Sequence, residues 1–331
     1  MKNKLLLFAT TLLFTFSSFA DVAVVTFNAA QLKKHGFDFV PCTNRRIQPL
    51  MENLFLNDDA PAHSQKYFVI TLQEMWTKKV FKATEAAVKK MGYQMFPRDH
   101  ESVKSNGVIT VTNMKMLEAN FTPYSHDTYA KKGILYTLLQ TDEGQKIGVL
   151  NIHTGFSGKK TPSSTHLRQF YEVGEFAMNK QKESDYFVIA GDFNSGPDMV
   201  LEKEEYAIAE TVWNVGLIPV MNSAKMIHVP QSEITWDQTH NPLVYDPTAT
   251  IKLFNLIDHK NTRWGQNDST MDHIFVSESV EIQSAKLVFK DPVPLHCPNR
   301  TNEEGKSTLS DHYGVMATLK LKDPAPITIN E

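Results

Sequence analysis

Several polar residues stand where apolar, β-type runs begin or stop. The run VAVVTF leads into Asn28, and YFVITLQ leads into Glu74. Asn151-Ile152-His153 closes another run, and Gly191-Asp192-Phe193-Asn194 follows YFVIA directly. Asp272 opens DHIFV, and Asp311-His312 precedes the last apolar run. Carboxylate and amide oxygens suit a hard divalent cation, and few protein ligands leave room for water and an anionic substrate. A histidine oriented by a carboxylate supplies a base near neutral pH. Histidine and asparagine donors would offset charge growing on a phosphoryl oxygen in the transition state. Taken singly, each residue has a plain structural explanation. Asn28 could form a turn, Glu74 could cap a helix, and His153 could be a satisfied core histidine. Asp192 and Asn194 could make Asx turns. Asp272 could be a strand-start charge, and Asp311-His312 a loop pair. Strand ends that meet at one rim explain all of them together.

The elements that would position these groups are legible in the spacing. Short β-type runs predict strands over 22–28, 67–73, 93–96, 107–112, 133–140, 146–153, 186–190, 272–277, 285–289 and 313–321. Helical spacing predicts helices over 44–55, 77–91, 165–180 and 201–214, with Ser164 as cap of the third. In the second, Val80, Phe81, Ala87 and Val88 share one face, with Thr84 between the pairs. Residues 142–144 read as a hairpin turn, and 216–265 has no clear period. Strand runs this consecutive fit an α/β domain of mixed sheets packed face to face, with helices outside, rather than a doubly wound βαβ fold.

The chain has 331 residues, with 41% hydrophobic and 21% charged types. That is ordinary globular composition, with length for a sizeable core. A net charge of -3 argues mildly against a protein living on non-specific nucleic-acid affinity. Residues 1–20 read as a secretory signal peptide. Lys2 and Lys4 start it, the apolar run 5–16 is too short to span a bilayer comfortably, and Ser18-Phe19-Ala20 precedes Asp21. The expectation is cleavage after Ala20 and a secreted or periplasmic location. Residues 21–331 are expected to form one catalytic domain, monomeric and without an obligate protein partner. Cys42 and Cys297 both follow the cleavage point, so a disulfide is expected in an oxidising compartment. Two separate buried thiols are the alternative.

The ordered set TFN, LQE, N-x-H, GDFN, a strand-starting aspartate and SDH, spread over 22–321, resembles the endonuclease/exonuclease/phosphatase superfamily, also called DNase I-like. The resemblance implies a four-layer α/β/β/α sandwich of two mixed β-sheets flanked by helices. It implies that Glu74, Asn28 and Asp311 serve Mg²⁺, or another divalent cation such as Mn²⁺ or Co²⁺. It also implies that His312 is the general base, oriented by Asp272. Asp192 and Asn194 would hold the nucleophile or phosphate, and His153 would donate to a phosphoryl oxygen. Further motifs resemble the neutral sphingomyelinase, or sphingomyelinase C, branch: LQEMW at 72–76, NGVI from Asn106, KGILY from Lys132, and Thr235-Trp236-Asp237 followed by Asn241-Pro242-Leu243. These imply a phospholipid substrate of the sphingomyelin type, met at a membrane surface. Asn151-Ile152-His153-Thr154 departs from that branch's Asn-Thr-His, and the following GFSGKKTPSS is unlike its usual loop. A secreted DNase I-like nuclease fits the core motifs, as does a phosphoinositide or other phosphomonoesterase. Lys131-Lys132 and Lys159-Lys160 read as solvated pairs rather than a nucleic-acid track. The run 251–257 is a candidate apolar contact, with core burial as the alternative.

Overall fold

The structure, a computed structural model, describes residues 21–34, 37–126, 131–155, 163–197, 212–231, 233–237, 239–244, 268–298 and 300–322. The expected signal peptide, residues 201–211 of one predicted helix, Lys159-Lys160 and the run 251–257 lie outside the described residues. The strands are β1 (Asp21–Asn28), β2 (Lys33–Lys34), β3 (Phe37–Asp38), β4 (Tyr67–Gln73), β5 (Gln94–Phe96), β6 (Ile109–Thr112) and β7 (Lys115–Pro123). They continue with β8 (Gly133–Gln140), β9 (Lys146–His153), β10 (Tyr186–Asp192), β11 (Met226–His228), β12 (Asp272–Ser277), β13 (Val280–Val288) and β14 (Gly314–Leu321). The α-helices are α1 (Thr43–Met51), α2 (Lys78–Met91), α3 (His100–Asn106), α4 (Ser163–Lys180) and α5 (Ile218–Ser223).

One six-stranded sheet runs β13-β14-β1-β4-β6-β5, and the other runs β11-β12-β10-β9-β8-β7. Each has one parallel pair, β1 with β4 and β9 with β10, among antiparallel neighbours. Side chains alternate along a strand, so parity decides which layer a residue joins. Val22, Val24, Val69, Val149, Val188 and Ile274 meet between the sheets. The alternate residues Ala23, Val25 and Phe27 pack under Leu50 of α1 and Val80 of α2. Phe187 and Ile189 do the same beneath Phe170 and Val173 of α4. The result is the expected α/β/β/α sandwich. Among the described residues no helix is long and apolar enough to cross a membrane.

Asn28 continues the inward parity of Val22 and Val24, His153 that of Val149, Asp192 that of Val188, and Asp272 that of Ile274. At this end the space between the sheets turns polar. Gln73 Nε2 donates to Asn151 Oδ1 at 2.9 Å, while Asn151 Nδ2 donates to Leu72 O at 3.2 Å and Ile109 O at 2.9 Å. Buried amides persist only when satisfied in this way, and here they bridge the sheets just below the rim. Cys42 and Cys297 form the expected disulfide, with Cα atoms 5.8 Å apart.

Several expected boundaries shift. The strand expected over 186–190 continues to Asp192, and the one expected from 285 starts at Val280 and carries a bulge between Ile282 and Ser284. The helix expected from 165 begins at Ser163, so Ser164 lies inside its first turn instead of capping it. Helix α3 was not expected: Val103 is its only fully buried aliphatic residue, too little for a period to show. Strand β7 also escaped, because its half-exposed residues mix polar and apolar types on a sheet edge.

Candidate active site

Register does most of the assembly. Asp192 is paired with His153 on one side and Asp272 on the other, so the three side chains stand in a row roughly 4.8 Å apart. In the other sheet Asn28 pairs with Gln73, and Glu74 follows directly. The two rims meet where Asn28 Nδ2 donates to Asp192 Oδ2 at 2.9 Å. Asp192 Oδ1 accepts the Asn194 N–H at 2.8 Å, and Asn194 Nδ2 donates to Thr154 O at 3.1 Å. The glycine of GDFN is required, since a Cβ on Gly191 would lie 2.1 Å from Ile152 O. Glu74 (φ 57) and Asn194 (φ 47) occupy the left-handed region, which costs a non-glycine residue about 1 kcal/mol. Such strain concentrates at functional sites.

His312 Nδ1 donates to Asp272 Oδ2 at 2.8 Å. Burial pulls the His312 imidazole down, but the Asp272 carboxylate, with Asp192 and Asp311 nearby, outweighs burial and holds it above its ordinary range. Burial pushes the Asp272 carboxyl up, against the stabilising charge of His312. The segment around Trp236 wraps this pair. Thr235 Oγ1 accepts the N–H groups of Met271 at 2.9 Å and Asp272 at 3.2 Å. The Trp236 ring meets His312 edge-on, with centroids 5.0 Å apart. Asn241 Nδ2 donates to Ser310 O at 3.0 Å, and its Oδ1 accepts from Thr308 Oγ1 at 2.6 Å.

The rim brings Asn28, His153, Asp192, Asn194, Asp272 and His312 together, with Glu74 3.8 Å from His153 and Asp311 near enough to act on Glu74. Two further residues belong with them. Lys132, expected to be solvated, turns inward: its Nζ lies 2.7 Å from His153 Nε2 and donates to Thr154 O at 2.8 Å. A signal existed. Once the turn at 142–144 pairs Gln140 with Lys146, Ile134 falls opposite Ile152, and Lys132 opposite Thr154. Arg46 is fully buried. It donates to Ala29 O at 3.0 Å, Leu309 O at 2.7 Å, Ala30 O at 2.5 Å and Pro41 O at 3.1 Å. It thereby ties the loop after Asn28 to the loop before Asp311, and no pattern in the sequence marks it. Burial lowers its guanidinium to about 10, against the support of Asp311, Asp38 and Glu74.

The donor chemistry tests the expected cation site. Burial pushes the Glu74 carboxyl up to about 7, with Asp311 and Asp192 pushing the same way against Lys132 and His312. A carboxylate held back from ionising by burial, with carboxylate neighbours adding to the effect, is a donor that a hard cation relieves, so Glu74 with Asp311 beside it fits Mg²⁺. Asn28 is already engaged, since its Oδ1 accepts the Ala30 N–H at 3.0 Å, leaving one lone pair to offer. Among the described residues, the side chains whose donor atoms come within 4.8 Å of one another are a different trio, Asp192, Asp272 and His312. Within that trio, His312 and Asp272 already satisfy each other, which suits proton transfer better than ligation. The oxygen donors of Glu74 and Asp311 are the better match to a hard ion.

The chain belongs to the Endonuclease/Exonuclease/phosphatase family, which matches residues 25–312, and whose members are metal-dependent phosphoric ester hydrolases. Its fold is similar to that of SmcL, with 16% identity and a TM-score of 0.60 over 90% of this chain and 98% of that one. It is similar to sphingomyelinase C from Streptomyces griseocarneus, with 15% identity and a TM-score of 0.59 over 90% and 99%. D. rerio TDP2 complexed with a single strand DNA product is also similar, with 18% identity and a TM-score of 0.54 over 90% and 98%. No curated protein sequence matches the chain.

Proposed function

We propose that this protein is an exported, divalent-metal-dependent phosphodiesterase, one catalytic domain over 21–331, that cleaves sphingomyelin or a related phospholipid in the manner of a phospholipase C. The observation that carries the lipid reading is the segment around Trp236 and Asn241. It resembles the sphingomyelinase branch, and it is wound around His312 and Ser310 rather than lying remote from the chemistry. A sphingomyelinase C is among the similar folds. Export is read from residues 1–20, and the Cys42–Cys297 disulfide fits an oxidising compartment.

A divalent cation bound at Glu74 and Asp311 would supply Lewis-acid charge toward a phosphoryl oxygen. The remaining work falls to the chain's own side chains. Asp192, fixed by Asn28 and by the Asn194 N–H, holds the attacking water. His312 is bound to Asp272 through Nδ1, so Nε2 is the atom that takes the water's proton when the ring is neutral, a form the surrounding carboxylates disfavour and a bound cation would favour by offsetting their charge. Asp272 then stabilises the imidazolium. The Asn194 side chain, anchored on Thr154 O, lies beside the nucleophile and steadies the phosphate.

A nuclease is the second reading, because a fold of similar likeness holds a DNA product. One panel separates them: purified mature protein with sphingomyelin, phosphatidylcholine, plasmid DNA and a chromogenic phosphodiester, in Mg²⁺ and then in EDTA. Sphingomyelin cleavage that stops in EDTA is expected. DNA cleavage without lipid cleavage would overturn the substrate, and full activity in EDTA would overturn the metal mechanism.

A further inference from the structure

We propose that His273 is a positioning residue of the phosphodiesterase site, one N–H of which holds the loop carrying Asn194 at a fixed distance from Asp272, and that His228 sets the tautomer this requires. The inference deepens the phosphodiesterase reading and rests on it.

The need for such a group arises where β10 and β12 part. Asp192 is still in register with Asp272, and the Phe193 N–H donates to Met271 O at 2.9 Å. Beyond that bond the two chains present Ser195 O and Thr270 O. Both are acceptors, so neither can bond the other, and both residues are buried. The His273 side chain closes the gap: its Nε2 lies 2.9 Å from Ser195 O and 3.1 Å from Thr270 O. One N–H shared between two carbonyls is an ordinary three-centre bond. Ser195 directly follows Asn194, and Thr270 stands two residues before Asp272. The clamp therefore sets the spacing between the amide that steadies the phosphate and the carboxylate that orients His312.

Hydrogen-bond chemistry places the proton on each ring. Carbonyl oxygens only accept, so His273 Nε2 carries the proton and Nδ1 of the neutral ring is an acceptor. The atom facing that Nδ1 is His228 Nε2, at 3.1 Å, and it must be the donor. A histidine's tautomer is set by the bond its other nitrogen makes, so His228 keeps the His273 proton on the clamping side. The ring is held by its neighbours as well, with centroids 4.5 Å from Trp213 and 5.7 Å from Phe193. Burial disfavours a second proton on either ring, and such a proton would set two N–H groups face to face. His273 shares the parity of Phe275, which packs on the helix side of β12. It therefore acts on the cleft through the two loops it joins.

The test is a mutant series on bis(p-nitrophenyl) phosphate with Mg²⁺. His273→Leu removes the donor and should lower kcat about 10–100-fold, with KM changed less than about threefold. His273→Gln, which restores an N–H donor, should recover at least about fivefold of that loss. His228→Leu should lower kcat in the same direction. Added to His273→Leu it should cost less than about threefold more, because it acts through that ring. Far-ultraviolet circular dichroism of the variants should match wild type. A His273→Leu enzyme as fast as wild type, a His273→Gln enzyme no better than His273→Leu, or losses that multiply would overturn the role. A readout free of turnover and of any substitution is ¹⁵N NMR of the metal-free protein. Nε2 of both rings should be protonated and His273 Nδ1 bare; a proton on His273 Nδ1 would also overturn it. Wild type inactive on every ester would sink the phosphodiesterase reading and this role together. An active wild type with an unimpaired His273→Leu sinks this role alone.

Discussion

His312 and Asp272 come from segments forty positions apart, yet their hydrogen bond is 2.8 Å and nearly dry. In the proposed mechanism the outer imidazole nitrogen takes a proton from the attacking water. His312→Ala is therefore expected to lose about 10³-fold in kcat while its far-ultraviolet circular dichroism and melting temperature stay near wild type. A variant that keeps turnover would refute the base assignment. At this scale the sequence was informative about identity and silent about partners. Residue types at strand ends picked out Asn28, Glu74, His153, Asp192, Asn194, Asp272, Asp311 and His312 as candidates. They could not show that Lys132 points inward, because that depends on a hairpin register carried back from a turn several residues away.

The segment 235–241 illustrates the next scale. Read from sequence it was a branch marker; in the fold it is a brace. Thr235, Trp236 and Asn241 each contact the dyad or the loop that carries it. Asn241→Ala strands the buried Ser310 carbonyl and Thr308 hydroxyl, and should cost roughly 1–3 kcal/mol in urea unfolding, with a fall in kcat. A neutral result would show that the loop stands without it. The first turn of α1 does similar work through Arg46. Arg46→Met leaves four carbonyls without their donor and should destabilise by more than about 3 kcal/mol. Elements with a strong period are legible in the sequence. In α2 the expected face, Val80, Phe81, Thr84, Ala87 and Val88, is the buried one. Elements whose burial is slight, such as α3 and β7, left no such pattern.

For the molecule as a whole, three buried histidines contribute to the response to acid. Burial lowers His166 and His228 to about 4, and burial together with His228 lowers His273 to about 3, all from an ordinary 6.5. The folded state therefore favours neutral rings. That contribution is complete above about pH 6.5 and is lost as pH falls through 4 and then 3. The urea midpoint should drop steadily between pH 6.5 and 4, with proton uptake on unfolding; a flat midpoint would contradict it. Reduction of Cys42–Cys297, which closes a loop with a sequence separation of 255, should remove about 2–5 kcal/mol, read by denaturation with and without dithiothreitol.

The pairing of β1 with β14 has a consequence in time. Asn28 lies at the end of β1, and its carbonyl accepts the Ser310 hydroxyl at 2.7 Å across a sequence separation of 282. Synthesis delivers the two ends of that bond far apart, and so distant a contact forms late and slowly. Until the last strand docks, the Ser310–Asn28 bond cannot form, and a chain stopped before residue 310 lacks Ser310, Asp311 and His312 and is expected to be inactive.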